Sequence, residues 1–396
     1  MSSRPSTAFA VFLVALTALG PLSTDFYLPA LPSLARALGT DSAGAQLTLS
    51  VYLFGFAFGQ LVLGPLSDRY GRRPVMLTGM AVYVLATLAC ALAPGIDTLI
   101  GARFVMALGA CAGPVLGRAI VRDLYGPHDA ARVLSHIATG SALAPLVAPL
   151  FGGWLTTMFG WRSTFVALTL FAVALTVLCW CILHETNRQP DPNAIRPAQM
   201  LANYRSLIAD RLYLGLLLTG GGAFAALFAF ISGAPFVFID LFGMTPAQMG
   251  MAFGANVTGF MVGSSLSARL SHRISPASLI RAGVLLGAGA GVVLASLSVA
   301  GVHHVAAVML PMWFVALANG LLLPNVTALA LKDYPHMAGA AASLMGFMHM
   351  GLGAGAGMAV GHRIAGSAAP MTLMVAASML ASLLAWWIWV RPVHRR

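Results

Sequence analysis

The sequence predicts an all-α integral membrane protein, with twelve transmembrane helices in two pseudo-symmetric bundles of six and with both termini in the cytoplasm. Three observations carry this prediction: the composition, the number of long apolar stretches, and an internal repeat. Of the 396 residues, 59% are hydrophobic and only 8% are charged, whereas soluble globular domains contain about 25% charged residues. The mean hydropathy is +0.86. So few charges cannot cover a water-facing surface, which excludes an ordinary soluble enzyme.

The apolar stretches number twelve when each is measured against the length that a membrane requires. A helix needs about 20 apolar residues to cross the hydrocarbon core. The predicted spans are Phe9–Pro29, Ala45–Leu66, Pro74–Leu92, Thr98–Val121, Val133–Met158, Trp161–Leu183, Leu212–Phe238, Met249–Leu270, Leu279–Val299, Val305–Leu331, Ala338–Val360 and Met371–Val390.

The longest connection is also the most polar stretch of the chain. It runs from His184 to Arg211 and contains Pro190, Pro192 and Pro197, which argue against one continuous helix. We therefore predict an N-terminal bundle over residues 1–183, a cytoplasmic linker over 184–211 and a C-terminal bundle over 212–396.

The basic residues set the orientation. Eighteen of the 22 Lys and Arg residues fall on the side that holds both termini, three fall on the opposite side, and Arg103 lies inside a span. Cytoplasmic loops carry such an excess, so the net charge of +11 reports topology and no nucleic-acid partner is expected. The four cysteines and ten histidines show no metal-ligand spacing, and we expect neither a metal nor a cofactor.

An internal repeat connects the two predicted bundles. The loop after span 2 contains Leu66, Ser67, Arg69 and Arg73, and the loop after span 8 repeats these residue types 200 positions later, ending at Arg273. Asp68 is replaced by Ala268 in the second copy. Parallel repeats of this kind are typical of secondary transporters.

The loop Gly64–Arg73 resembles the G-x-L-[SA]-D-R-x-G-R-R signature of the major facilitator superfamily. The resemblance implies the major facilitator fold and a cytoplasmic latch between helices. In such a loop glycines allow close approach and a tight turn, and an acid pairs with arginines. The latch residues would be Gly64, Asp68, Arg69, Gly71, Arg72, Arg73 and Asp123.

Span 5 is similar to the antiporter motif of twelve-span drug exporters, in which proline and small residues shape a kinked interface helix. Ordinary helix packing would explain the same composition. The residues concerned are Gly140, Pro145, Pro149, Gly152 and Gly153.

The segments Pro21–Pro32, Arg122–Tyr125, Ala234–Val237 and Tyr334–Gly339 resemble the Bcr/CflA family of drug-resistance transporters. Members of that family export bicyclomycin, phenicols, sulfonamides and related compounds in exchange for protons. The resemblance therefore implies a monomeric, multi-pass protein of the bacterial inner membrane that works by alternating access, with drugs, protons and the lipid bilayer as its partners.

Asp25 is the candidate for proton coupling. It is the only one of eleven acids within an apolar segment, and an intramembrane acid is a functional site by default, although a purely structural carboxylate is the alternative. At 1.5 Å per residue, Asp25 lies roughly 24 Å along span 1. Arg103 lies roughly 8 Å below the outer edge of a core about 30 Å thick. The matching depths predict an ion pair.

The wall of a central cavity is assigned from polar and aromatic residues within the spans. Each could equally fill a helix interface. The candidates for substrate binding are Tyr27, Tyr52, Phe228, Ser232, Phe236, Asn256, Trp313, Asn319 and His349.

Three other classes of protein remain as alternatives to a proton-coupled drug exporter. The nearest is a major facilitator transporter for a specific metabolite, an importer or an exporter that is not a multidrug pump. An intramembrane enzyme would need a nucleophile–base pair or a metal site, and the sequence contains neither G-x-S-x-G nor H-E-x-x-H. A receptor or scaffold would not need Asp25 or the loop signature. We expect no enzyme activity.

Overall fold

The structure, a computed structural model, consists of helices and the short connections between them over the residues it describes. These are residues 7–125, 133–134, 137, 140–141, 143–187, 190–192, 194–195, 197–334, 337–361 and 367–391. The fold class predicted from composition and periodicity is confirmed in this part of the chain.

Within the described residues, eight α-helices with defined bounds precede the long connection. They are α1 (Thr7–Asp25), α2 (Leu31–Ala37), α3 (Ser42–Tyr70), α4 (Arg72–Ala91), α5 (Ile96–Ala110), α6 (Ala112–Leu124), α7 (Ala144–Phe159) and α8 (Arg162–Ile182). A single turn of 3₁₀-helix, Leu28–Ala30, joins α1 to α2. Together α5 and α6 form the predicted fourth span. We call α1–α8 the first half.

Seven more α-helices follow in the part of the chain that the structure describes. They are α9 (Pro197–Ala209), α10 (Arg211–Pro235), α11 (Pro246–Leu270), α12 (Pro276–Val299), α13 (Val305–Lys332), α14 (Ala338–Gly361) and α15 (Ala369–Ala385). A π-helical turn extends α10 to Leu241 and another extends α15 to Val390. Among the described residues of the connection between the halves, the helix begins at Pro197, and residues 184–187, 190–192 and 194–195 are not helical. We call α10–α15 the second half.

Local sequence sets the ends of several helices. The Asp41 side chain accepts a hydrogen bond from the Gly44 amide at the start of α3, and Thr245 and Gln248 form a capping box at the start of α11. These side chains satisfy amide groups that have no partner within the helix. Gly71 adopts a φ of +98°, which ends α3 and lets α4 begin at the next residue.

Within the described residues, ten helical segments are long and apolar enough to cross a membrane. The two remaining predicted spans correspond to α7, an apolar helix of 16 residues, and to α11, which has 25 residues but carries Asn256 and several serines. Residues 135–136, 138–139 and 142 of the fifth predicted span lie outside the described residues. The chain is therefore a multi-pass membrane protein, and the division at residues 184–211 into two bundles stays a prediction.

Two helix pairs join the halves: α7 packs against α11, and α3 packs against α14. In the first pair, a Cβ on Gly153 would meet the backbone carbonyl of Pro246, and one on Gly250 would meet that of Pro149. Small residues thus bring the two backbones together. Both contacts lie toward the side of the loops at 159–161 and 242–245, which the basic residues predict to be outside the cell. We call this the outer side.

Among the described residues, hydrogen bonds between the halves also lie toward the outer side. Arg36 donates to Asp240 at 3.0 Å, and Ser232 donates to the side-chain oxygen of Gln46 at 2.9 Å. The halves are therefore held together at their outer ends.

Gly113 and Gly117 of α6 provide a matched test of close helix packing. A Cβ at Gly113 would collide with the backbone carbonyl of Leu16 on α1, whereas one at Gly117 would make an ordinary contact 3.5 Å from Thr17. Overpacking costs about 1–3 kcal/mol, while alanine is favoured over glycine within a helix by about 1 kcal/mol. We expect Gly113→Ala to lower the thermal unfolding midpoint of the purified protein and Gly117→Ala to leave it unchanged or raise it. Equal midpoints for both variants would contradict this packing.

Candidate functional site

A cavity of about 260 Å³ lies between the two halves of the chain. Its lining is mostly aromatic and aliphatic, with a few polar groups, which is the usual character of a small-molecule site. The first half contributes Gly20, Pro21, Thr24, Asp25, Tyr52, Leu53, Phe56 and Pro145, and the second half contributes Phe224, Leu227, Phe228, Ile231, Phe253, Asn256, Val257, Phe260, Ala316, Asn319 and Met350.

Asp25 is the one charged residue among the described residues of this lining. It is the last residue of α1 and is only 5% exposed. The Thr24 hydroxyl donates a hydrogen bond to its Oδ1 at 2.9 Å. An acid therefore reaches the cavity at the point where the helix stops and the chain turns toward Pro29.

Arg103 is fully buried behind the same wall. Its guanidinium carbon lies 4.3 Å from the ring centre of Tyr27 and 4.2 Å from that of Tyr52. Its Nη1 donates to the backbone carbonyl of Ser23 at 2.9 Å. Within the described residues, Nε and Nη2 have no hydrogen-bond partner. The faces of two tyrosines, each worth about 2 kcal/mol or more to a desolvated cation, thus surround the charge.

The predicted ion pair between Asp25 and Arg103 is not formed in this structure. Among the described residues, the ion pairs within 4 Å are Arg36–Asp240, Arg72–Asp68 and Arg72–Asp123. The estimated depths are compatible with the structure, since Arg103 bonds the carbonyl two residues before Asp25. The pair is absent because the tyrosine faces and the Ser23 carbonyl hold the guanidinium, while the carboxylate lines the cavity.

Four of the nine residues proposed for substrate binding line the cavity: Tyr52, Phe228, Asn256 and Asn319. The Tyr52 hydroxyl donates to the Gly20 carbonyl at 3.3 Å, and its ring separates Arg103 from the cavity. Asn319 donates from Nδ2 to the Ala223 carbonyl at 3.3 Å.

The other five have different surroundings. Tyr27 contacts Arg103 and hydrogen-bonds Thr48, Ser232 belongs to the contact with Gln46, and Trp313 donates to Thr258 at 3.0 Å. Phe236 lines a separate cavity beside Arg36 and Asp240. His349 stacks on Phe224, with ring centres 5.6 Å apart, so it lies behind a residue of the wall. These five side chains therefore have surroundings other than the lining of the central cavity.

Sequence reasoning missed the phenylalanines of the cavity. Phe56, Phe224, Phe253 and Phe260 all line it. In a membrane span, a phenylalanine facing a cavity and one facing a neighbouring helix have the same signature, so no signal in the sequence distinguished them.

In the loop between α3 and α4, one arginine is the centre of a cluster of polar side chains. Arg72 contacts the carboxylate of Asp68 at 2.5 Å and that of Asp123 at 2.9 Å, and it also donates to the Ser67 hydroxyl. The two other arginines point elsewhere: Arg69 lies over the Tyr70 ring, and Arg73 lies over the Trp180 ring. A Cβ at Gly64 would meet nothing within 4 Å, so this glycine has no close contact.

Glu185 completes the cluster and was not predicted. Its carboxylate accepts hydrogen bonds from the backbone amides of Arg72 and Arg73 at 2.9 and 3.1 Å, which caps the N-terminus of α4 across 113 residues of sequence. Nearby, Asn187 donates to the Asp68 carbonyl at 2.9 Å. The start of the linker is thus bound to the first half.

The antiporter-like residues lie where helices approach most closely. A Cβ on Gly152 would meet the Phe26 carbonyl, one on Gly153 would meet the Pro246 carbonyl, and one on Gly140 would lie 2.6 Å from Val14. Pro149 lies inside α7, and Pro145 near its start lines the cavity. Helix α7 therefore contacts both the first half and α11 of the second.

A multi-pass helical protein that encloses a largely apolar, acid-bearing cavity between two halves has the architecture of a membrane transporter. Residues 11–358 match the sequence profile of the Major Facilitator Superfamily. The chain belongs to this superfamily.

Relatives with related names cover nearly the same length. The chain is 30% identical to a bicyclomycin resistance protein homolog of Haemophilus influenzae over 98% of this chain and 97% of that protein. It is 33% identical to a chloramphenicol resistance protein of Pseudomonas aeruginosa over 85% of this chain and 80% of that protein. It is 30% identical to multidrug resistance protein D of Escherichia coli over 87% of this chain and 86% of that protein. These names agree with the Bcr/CflA resemblance.

Solved structures share the fold. A bacterial homolog of the human lysosomal transporter Spinster, in an inward-facing and unoccupied conformation, superposes with a TM-score of 0.76 at 17% identity over 97% of this chain and 96% of that one. A D-xylose–proton symporter superposes with a TM-score of 0.73 at 15% identity, over 96% of this chain and 98% of that one.

The arginines of the cytoplasmic loop are expected to differ in their effect on stability. Removing Arg72 leaves two carboxylates without their shared partner, and a hydrogen bond to a charged group is worth about 1.5–3 kcal/mol. Arg69 is exposed and has only a ring contact. We expect Arg72→Ala to lower the thermal unfolding midpoint in detergent far more than Arg69→Ala. Equal losses would show that the cluster is not organised around Arg72.

Proposed function

We propose that the protein is a proton-coupled antiporter that exports small amphiphilic drugs or antibiotics, such as bicyclomycin-, phenicol- or sulfonamide-like compounds, across the bacterial inner membrane by alternating access. One observation carries the proposal: a buried carboxylate, Asp25, is the one charged group among the described residues that line an aromatic cavity between the halves. The names of the relatives that span nearly the whole chain support the drug class.

Asp25 would couple drug export to proton import because a proton and a drug would compete for its carboxylate. A protonated carboxyl is neutral and costs little to bury, whereas a carboxylate in the cavity needs a partner. A drug that hydrogen-bonds the carboxylate would supply this partner and displace the proton. Arg103 would serve as a fixed positive charge behind Tyr52, stabilising the carboxylate at a distance.

The proton gradient supplies enough energy for such an exchange. One charge moving down 100 mV yields about 2.3 kcal/mol, and one pH unit adds about 1.4 kcal/mol. Together these support a drug gradient of more than a hundredfold for each proton.

The contacts between the halves support alternating access. In this conformation the outer ends are joined by glycine contacts along α7 and α11 and by the Arg36–Asp240 ion pair. For the drug to leave, these contacts would separate while the cytoplasmic ends approach one another. The Arg72 cluster with Glu185 would keep the cytoplasmic face of the first half rigid during this motion.

The role of Asp25 is tested by Asp25→Asn, which keeps the shape of the side chain but cannot bind an exchangeable proton. In inverted vesicles acidified inside, a drug added to the wild type should release protons and restore the fluorescence of a pH-sensitive dye. We expect drug-dependent proton release by the variant to be at least about tenfold smaller than that of the wild type, while its thermal unfolding midpoint stays the same.

Asp97→Asn is the matched control, because Asp97 is exposed at the start of α5. It should release protons like the wild type. Undiminished drug-dependent release by Asp25→Asn would refute the assigned role.

The outer closure is tested by replacing Arg36 and Asp240 with cysteine in a Cys181→Ser background, since Cys181 is the one exposed cysteine. A short, membrane-permeant, reducible bifunctional thiol reagent should join the two positions in whole cells. We expect drug efflux to stop after cross-linking and to recover after reduction, because the outer ends could not separate. The single Arg36→Cys variant treated in the same way should continue to transport. Normal efflux by the cross-linked protein would contradict opening at this place.

A further inference from the structure

Two arginines of α6 are exposed on a helix that otherwise packs inside the first half. Arg118 and Arg122 lie one helical turn apart and both are exposed, whereas Leu116 and Ile120 of the same helix are fully buried. An arginine within a membrane span faces either lipid or a water-filled space, and a charge that faces lipid is costly. The packing of α6 decides between the two.

The neighbours of α6 show on which side of the helix Arg118 lies. Gly113 lies against α1, Cys111 lies against α3, and Ala112 lies against α4. At 3.6 residues per turn, Arg118 is about 140° around the helix from Gly113 and about 20° from Cys111. It therefore lies between the contacts with α1 and α3 and away from the contact with α4.

The gap between α1 and α3 continues the central cavity toward the cytoplasm. Both helices line the cavity farther out, α1 through Pro21 and α3 through Tyr52. Packing around the gap is looser on the cytoplasmic side, since a Cβ at Gly64 of α3 would meet no atom within 4 Å. Because the halves are joined at their outer ends, a drug would reach the cavity from the cytoplasm, and Arg118 lies beside that route.

Arg118 lies on the cytoplasmic side of Asp25. It follows Gly117, which approaches Thr17 of α1. Thr17 precedes Asp25 by eight residues, or roughly 12 Å of helix. Screening by salt is weaker for a partly enclosed charge than for one on an open surface, so the charge of Arg118 acts over such a distance. A drug approaching Asp25 from the cytoplasm passes Arg118 first.

The positive charge at this entrance is not balanced by an acid within the described residues. No ion pair within 4 Å there includes either of the two arginines of α6. The acid that follows them, Asp123, is held by Arg72. At the end of α13 in the second half, Lys332 and Asp333 are adjacent and of opposite charge. The net charge beside the route is therefore positive.

We propose that Arg118 is a specificity-determining residue that slows the entry of permanently cationic drugs from the cytoplasm. An acid in the cavity would by itself favour cations. A cation attracted by Asp25 must first pass the positive charge of Arg118, so selectivity against cations is set at the entrance and not in the cavity. This inference rests on the proposed function, since it assigns a charge selectivity to the same drug pathway.

Drug-dependent proton release in inverted vesicles tests this selectivity, because their cytoplasmic face is exposed to the added drug. The probes are tetraphenylphosphonium, a permanent cation, and chloramphenicol, which is uncharged. Vesicles without the transporter give the background for each compound. We expect Arg118→Gln to raise the rate with tetraphenylphosphonium at least about threefold relative to the rate with chloramphenicol, because one positive charge has left the entrance.

A series of charges at residue 118 distinguishes electrostatics from packing. Arg118→Lys keeps the charge and should keep the wild-type ratio of the two rates, whereas Arg118→Glu reverses the charge and should raise the ratio further than Arg118→Gln. Arg281→Gln is the matched control. Arg281 is also exposed on the predicted cytoplasmic side, but it lies on α12, from which no described residue lines the cavity. Its replacement should leave the ratio unchanged.

Ionic strength provides a measurement that needs no variant. The Debye length falls from about 30 Å in 0.01 M salt to about 8 Å in 0.15 M salt, so added salt should weaken the repulsion. Over this range we expect the wild-type rate with tetraphenylphosphonium to rise relative to the rate with chloramphenicol, and the difference between the wild type and Arg118→Gln to shrink. A side chain that only packs would not produce this dependence.

The outcomes separate the inference from the proposed function. Equal ratios in the wild type, Arg118→Gln and Arg118→Glu would overturn the role of Arg118 and leave drug export standing, and so would a ratio that does not depend on salt. If the Gln and Glu variants lose both responses by misfolding, the salt dependence of the wild type decides. No proton release by the wild type with chloramphenicol would contradict the proposed function itself and the inference with it.

Discussion

The first half of the molecule is organised around the buried guanidinium of Arg103. This cation contacts α1 through the Ser23 carbonyl, α3 through the face of Tyr52, the turn after α1 through Tyr27, and α8 through Phe165 at 5.9 Å. A charge inside a membrane is tolerated only where protein groups replace water. Two aromatic faces and one carbonyl provide that replacement, and their arrangement fixes how four segments meet. Because the arginine needs no acid in this conformation, Asp25 remains available to the cavity.

The two halves contribute different chemical groups to the cavity. The first half supplies the ionisable group and the fixed charge behind it, whereas the second half supplies aromatic surface and two amides. A ligand held between them therefore interacts with both moving parts. A ligand can shift a conformational equilibrium only to the extent that it binds one state better. A cavity lined from both sides meets this condition, since any change in the relative position of the halves changes the ligand contacts.

The sequence predicted the features that depend on composition and distance along the chain. Helical spans follow from apolar length, and the contact between Arg72 and Asp68 joins two residues of one short loop. Asp25 is recognisable because an acid in an apolar segment is rare. The sequence did not predict the direction in which side chains point around the helix axis. Depth arithmetic gave Arg103 and Asp25 a similar height, but it could not reveal that Tyr27 and Tyr52 would enclose the guanidinium. The roles of the cavity phenylalanines and of Glu185 were not predicted for the same reason, because contacts between residues far apart in sequence leave no periodic pattern.

The cap that Glu185 places on α4 has a consequence for biosynthesis. The amides of Arg72 and Arg73 enter the membrane early, but the carboxylate that satisfies them is made 113 residues later. Until the ribosome has released the beginning of the linker, the first turn of α4 has donors without their final acceptor. The cytoplasmic face of the first half is therefore completed only after its last transmembrane helix has been inserted. Maturation of this face is thus tied to the arrival of the connection that leads into the second half.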